Sequence, residues 1–268
     1  MDFEYWWLLG FPIFFVLGWV AARIDIKHLL SESRALPRSY FKGLNFLLNE
    51  QPDKAVESLL EVVKIDPETV ELHFALGSLF RRRGEYERAI RMHQNLLDRT
   101  DLAPEQREAA LFDLGLDYLK AGILDRAEDA FKRLAGGTHA AEAHRFLLDI
   151  YEQEKEWSKA RDMARQLAVD TGESRGKEIA HYQCELAASE STHSRVDAAR
   201  RSLDAALQVH RKCVRASIQL GDLERVAGHL DAAIEYWKRI EEQNPAYLAL
   251  VAQRLLEAYR DAGRLDEG

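Results

Sequence analysis

Cysteine is almost missing from this chain of 268 residues, with only Cys184 and Cys213, 29 positions apart and outside any CxxC. That excludes a disulfide framework, a four-thiolate zinc or iron–sulfur site and a thioredoxin-type redox motif. With 6 prolines, long uninterrupted helices are expected. Positive charge is in deficit, 37 Lys and Arg against 45 Asp and Glu, for a net charge of -8. This disfavours a nucleic-acid binder, which needs cations to neutralise phosphates. Apolar residues are not scarce: at 47% they argue against intrinsic disorder, and the length is ample for one or two folded domains.

What is present begins with residues 5–22, a run of 18 without a charge. As a helix it reaches roughly 27 Å, enough to cross a hydrocarbon core of about 30 Å. Trp6 and Trp7 at one end and Trp19 at the other suit the two membrane interfaces. Asp2 and Glu4 precede the run, whereas Arg23, Lys27, Arg34 and Arg38 follow it. By the positive-inside rule the body of the protein is expected in the cytoplasm. A cleaved signal peptide would need a basic leading region, and this one is acidic. Gly18 and Ala22 form a small-xxx-small pair suited to packing on a second membrane helix, although both residue types are common in such helices generally. Residues 1–35 are therefore assigned to a transmembrane anchor and its linker.

The remainder, 36–268, is repetitive. An aromatic or Leu-Gly-x-x-aromatic string is followed nine residues later by alanine and four beyond that by a large side chain, as in Leu114, Gly115, Tyr118, Ala127 and Phe131. The alanines at 55, 89, 127, 160, 199 and 233 are spaced by 34, 38, 33, 39 and 34 residues. That is the tetratricopeptide period with two insertions. Small residues such as Gly77, Gly115 and Gly221 admit close packing of a first helix on a second, and Gly84, Gly122, Gly228 and Gly263 supply turns between them. Asp66-Pro67 and Asn244-Pro245 supply breaks between units. The expected fold is all-α, an N-terminal transmembrane helix followed by a superhelix of helix pairs about 12 to 15 residues each. Six units are expected at 36–69, 70–107, 108–140, 141–176, 177–213 and 214–248. A seventh begins near Ala249 and breaks off at Gly268 inside what should be its second helix.

No catalytic pattern emerges. There is no HExxH, GxxxxGK or GxSxG, and His139 and His144 are too far apart in phase to share a helix face. His93 occupies a large-apolar position and reads as core, while His181, His193, His210 and His229 read as solvated or satisfied singly. Glu241-Glu242 reads as a solvated helix end, and Cys184 as a buried thiol. What remains is a binding surface on the first helices. Projection onto the concave side gives Phe74, Ser78, Arg81 and Arg82 in the second unit; Phe112, Leu116 and Lys120 in the third; Arg145 and Asp149 in the fourth. His181 in the fifth and Arg215 and Asp222 in the sixth complete it. Arginines beside aromatics suit an extended peptide or an acidic tail. The run Arg81-Arg82-Arg83 reads equally well as a solubilising helix C-terminus favoured by the macrodipole.

Local wording carries a further likeness. Asn45-Phe46-Leu47-Leu48 with Asp53-Lys54-Ala55-Val56, His73 to Phe80 with Arg83-Gly84-Glu85, Asp125-Arg126-Ala127-Glu128 and Glu178 to Tyr182 with Cys184-Glu185-Leu186-Ala187, behind a membrane helix, resemble the lipopolysaccharide assembly protein B family. The resemblance implies a non-enzymatic scaffold of the inner membrane, facing the cytoplasm, that restrains lipopolysaccharide synthesis. It would work with the membrane protease FtsH on the deacetylase that commits precursor to lipid A. Other inner-membrane lipopolysaccharide proteins and a second copy of the chain are further candidate partners. Members of the family carry a rubredoxin-like zinc module with two CxxC pairs; these 268 residues cannot form it, so no cofactor is carried over. Alternative readings are an envelope-assembly scaffold without a role in proteolysis, and the substrate arm of an enzyme whose catalytic domain lies elsewhere.

Overall fold

The structure, a computed structural model, describes residues 15, 41–43, 45, 46, 49, 51–65, 69–264 and 266. Among these, all regular structure is helical. No described helix is long and apolar enough to cross a membrane, and the expected anchor, with Gly18 and Ala22, lies outside the described residues apart from Phe15. The chain divides into two compact units, Met1–Leu96 and Leu97–Gly268.

In the first unit, helical residues 41–43 and 45–46 precede α1 (Pro52–Ile65), α2 (Val70–Arg82) and α3 (Tyr86–Asp98). Its core packs Leu59 and Val62 of α1 against Leu72, Leu76 and Phe80 of α2, with Ala89 of α3. The second unit continues with α4 (Pro104–Lys120), α5 (Leu124–Lys132), α6 (Ala140–Gln153), α7 (Trp157–Thr171), α8 (Gly176–Thr192) and α9 (Val196–Val209). It ends with α10 (Val214–Val226), α11 (Leu230–Gln243), a 3-10 turn (Pro245–Leu250) and α12 (Ala252–Asp261). Within the second unit, neighbours in sequence are neighbours in space, and α8 also touches α10, so these two first helices lie side by side.

One packing rule recurs in four of the six units. A small residue on the first helix lies against the large side chain sixteen positions later: Gly43 against Leu59, Gly77 against His93, Gly115 against Phe131 and Gly221 against Trp237. A Cβ at Gly115 would come within 2.7 Å of Phe131, closer than packed carbons approach. His93 is fully buried beneath Gly77, as its core position predicts. Side-chain N-caps are missing from most helices, so local signals contribute little and the apolar faces supply the stability.

The turns follow the expected glycines, with φ of +79° at Gly84 and +74° at Gly122. The fourth and fifth units have no glycine there, and Lys155 and Ser194 take the same left-handed conformation at φ 58°. Three expectations need adjustment. The third unit starts at Pro104 rather than 108, because proline is well suited to the first position of a helix. Its second helix, α5, has 9 residues rather than 12 to 15, ending ahead of the Gly136-Gly137 turn. The break at Asn244-Pro245 leads into a 3-10 turn, started by the Asn244 side chain accepting from the Ala246 N–H at 3.2 Å, so the next helix begins at Ala252. The two insertions appear as longer first helices: α4 and α8 have 17 residues each, against 13 in α10.

Candidate partner-binding surface

In the second unit the predicted surface residues ride on α4, α6, α8 and α10. The best-formed group joins α8 to α10. Arg215 Nη1 donates to Glu185 Oε1 at 2.7 Å and lies 3.2 Å from His181 Nδ1. The exposed His181 ring meets Trp157 and Tyr182 edge-on, with centroids 6.3 Å and 5.8 Å away. Two predicted residues, one period apart, are thereby brought together with a carboxylate that the projection left out. The Arg215 and Glu185 side chains are 42% and 24% exposed, so their ion pair stabilises by no more than about 1 kcal/mol. Arg215 can therefore exchange Glu185 for a partner's carboxylate at little cost.

Phe112 is half-buried in an aromatic cluster, stacked on His139 at 4.7 Å and near Phe131 and Phe146 at 5.9 Å each. Its environment is shared between α4, α5 and α6, which makes it as much a joint between repeats as a surface. Leu116 is half-buried and Lys120 exposed. Arg145 and Asp149 line a hollow of about 490 Å³ with Glu173 and Arg175. Asp222 is half-buried, and desolvation raises its carboxyl above the usual range although Arg254 Nε lies 3.2 Å away.

The first unit carries the remaining candidates on α2. Phe74 is half-buried with its ring 6.0 Å from His93, and Arg81 Nη2 lies 3.4 Å from Ser78 Oγ. Of the arginine run, Arg83 is engaged by Asp53 at 3.0 Å and Glu85 at 2.8 Å, whereas Arg82 is exposed.

Sequence reading missed the cleft beside Arg215. About 780 Å³ in volume, it is walled by Lys177, Lys212, Cys213 and Arg215, with Ile218, Tyr247 and Leu250 as apolar floor. Tyr247 and Leu250 come from the 3-10 turn, which no repeat template contains. Cys213 lies 3.8 Å, sulfur to sulfur, from Cys184. Their separation of 29 falls short of a repeat, which hid the meeting. Among the described residues no group of three or more His, Cys, Asp or Glu is arranged to hold a metal ion.

Family models for the tetratricopeptide repeat match residues 72–108, 112–174 and 184–247. The chain is 36% identical over 269 residues to lipopolysaccharide assembly protein B of Haemophilus influenzae, covering 95% of this chain and 67% of that protein. It is 37% identical over 258 residues to the protein of that name in Escherichia coli, covering 96% of this chain and 66% of the relative. The chain belongs to the lipopolysaccharide assembly protein B family.

It spans about two thirds of the length of these relatives. Among solved structures, the C-terminal part of a repeat-containing protein from Cytophaga hutchinsonii aligns with a TM-score of 0.50 at 14% identity, over 84% of this chain and 90% of that one. This likeness shows the helical-repeat fold alone. For a lipopolysaccharide assembly protein B relative, the region described here is thus a repeat array whose cationic and aromatic side chains gather on neighbouring first helices. A buried polar tie also joins α9 to α10. Glu224, almost fully buried at the end of α10, is bound by Arg200 and lies 2.8 Å from His229 Nδ1. The Arg200 guanidinium keeps the Glu224 carboxyl below its usual range.

Proposed function

We propose that this chain is a non-enzymatic adaptor, fastened to the inner membrane by residues 1–35, whose repeats at 36–268 face the cytoplasm and hold a client of the lipopolysaccharide pathway. The client is the deacetylase of lipid A synthesis, presented to the membrane protease FtsH. Family membership supports a role in lipopolysaccharide assembly, and the repeat fold supports protein binding. The observation that carries the reading is the group on α8 and α10, where Arg215 and His181 stand beside an amphipathic cleft. A weakly paired guanidinium next to apolar floor recognises a carboxylate followed or preceded by an apolar side chain. Tethering raises the local concentration, so a weak contact suffices.

The test is Arg215→Glu with His181→Glu in the full chain in membranes. Capture of the deacetylase should fall by about tenfold or more with helicity unchanged; undiminished capture removes this surface from the reading. The relatives' name also favours a second reading, an assembly scaffold that organises synthesis enzymes without proteolysis. Deacetylase half-life after depletion separates the two: a longer half-life supports the adaptor, an unchanged one the assembly scaffold. Removing residues 1–22 should abolish regulation in cells while leaving the repeats folded.

A further inference from the structure

Both cysteines of the chain meet at one place, and the surroundings are unequal. Cys184, on α8, is fully buried, while Cys213 is partly exposed in the N-cap position of α10 and opens into the cleft lined by Lys177, His210, Lys212 and Arg215. Their sulfurs are 3.8 Å apart, against the ~2.05 Å of a disulfide bond, so closure needs a shift of less than 2 Å between two packed helices. We infer that Cys213 is a peroxide-reactive thiol, with Cys184 as its resolving partner, and that the two form a reversible disulfide.

The chemistry follows from position. The two sulfurs are within S–H···S hydrogen-bond distance, and backbone N–H groups of Ala216 and Arg215 at the start of α10 point at the Cys213 sulfur. Together with the Arg215 guanidinium they pull the Cys213 thiol well below the usual range, whereas its hydrogen bond to Cys213 and burial push Cys184 up. Glu185, beside Cys184, acts against the Arg215 charge and reinforces that asymmetry. Ionisation is thus favoured at the partly exposed sulfur and disfavoured at the buried one. Reaction with a hydroperoxide breaks the O–O bond: Cys213 sulfur takes the terminal OH as sulfenic acid, and the alkoxide or hydroxide leaves with a proton from solvent. Cys184, losing its proton, then attacks the Cys213 sulfur, the S–O bond breaks and water leaves. Each sulfur gives one electron, and the peroxide takes two.

The location makes the event consequential. Cys184 is followed by Glu185, and Cys213 precedes Arg215 by two residues, so closing the bond displaces the two partners of the ion pair at the mouth of the cleft. The reaction itself needs no client and stands apart from the adaptor reading.

The experiment treats the full chain with hydrogen peroxide alone and reads peptides by mass spectrometry without reduction. The expected product is a linked pair containing Cys184 and Cys213, two hydrogens lighter and reversed by dithiothreitol. Cys184→Ala should accumulate a Cys213 sulfenate trapped by dimedone, and Cys213→Ser should leave Cys184 as a thiol. On the unmodified protein, iodoacetamide should label Cys213 about tenfold faster at pH 7 than Cys213 in the urea-unfolded chain. This reading needs no substitution and so does not depend on variants folding. Labelling at the unfolded rate, absence of the linked pair, or equal peroxide oxidation of Cys184 in Cys213→Ser would each overturn the assignment.

Discussion

Replacing Gly221 by alanine sets two effects of known size against each other. In an exposed helix, Gly→Ala stabilises by about 1 kcal/mol through helix propensity. Gly221 is fully enclosed in α10, and a Cβ there would run into the indole of Trp237, itself fully buried. Overpacking of this kind costs about 1–3 kcal/mol. The ring cannot move freely, because Trp237 Nε1 donates to the Ile218 carbonyl at 3.3 Å, and losing that bond costs about 1 kcal/mol more. The packing terms outweigh propensity, so G221A should destabilise by about 1–3 kcal/mol. Urea unfolding followed by far-UV circular dichroism measures it. Trp237→Leu removes the obstacle, and in the double variant the alanine should cost less by about 1–2 kcal/mol, a coupling that a double-mutant cycle isolates. Gly136→Ala is the control, since a Cβ there meets nothing within 4 Å. A G221A protein as stable as the parent, or no coupling with Trp237, would refute the close-packing rule. Because α10 carries Cys213 and Arg215, G221A should also weaken client capture without touching the cleft.

Two further outcomes follow from the turns and the buried charges. Lys155→Gly and Ser194→Gly, both at positive φ, should each stabilise by about 0.5–1 kcal/mol in thermal or urea unfolding, because glycine escapes the left-handed penalty of about 1–2 kcal/mol but loses more chain entropy. Glu224 and Asp170 have folded pKa values below their unfolded ones, held there by hydrogen bonds from Arg200 and His144 respectively. Their contribution to stability is therefore present above about pH 4–5 and lost as pH falls through the folded values. Glu224→Gln should lower stability by about 2 kcal/mol at pH 7 and by less at pH 3, the difference being read from urea midpoints at the two pH values.

The helix pairs, the turn glycines and the core role of His93 were all legible in the sequence, because each is repeated and repetition averages out local noise. Expectation and structure part where one unit departs from the others. Proline at position 104 moves a helix start forward, Gly136-Gly137 follow a shortened α5, and Asn244 starts a 3-10 turn. Lys155 and Ser194 in left-handed turns could not be read from residue type, since side chains of that kind rarely adopt such a conformation; only their place in the period, after Tyr151 and before Val196, marks them.

Side-chain partnerships between units were harder to see, though a ruler for them exists. Within the second unit, successive first helices lie side by side, so a residue meets the one about a period further on, shortened where its side chain leans back toward the previous helix. Glu108 accepts from the His139 N–H at 2.9 Å, 31 positions later; Tyr182 donates to Glu152, 30 earlier; Arg215 pairs with Glu185, also 30 earlier. Asp222 and Arg254 continue the series at 32. Cys184 and Cys213, at 29, fall on the same ladder. A CxxC search looks along one helix and passes over a pair that a repeat array assembles across two. In such a fold, residues that act together should be sought at separations of about 29 to 34, and by that measure His181, Glu185 and Arg215 form one group with the thiols beneath them.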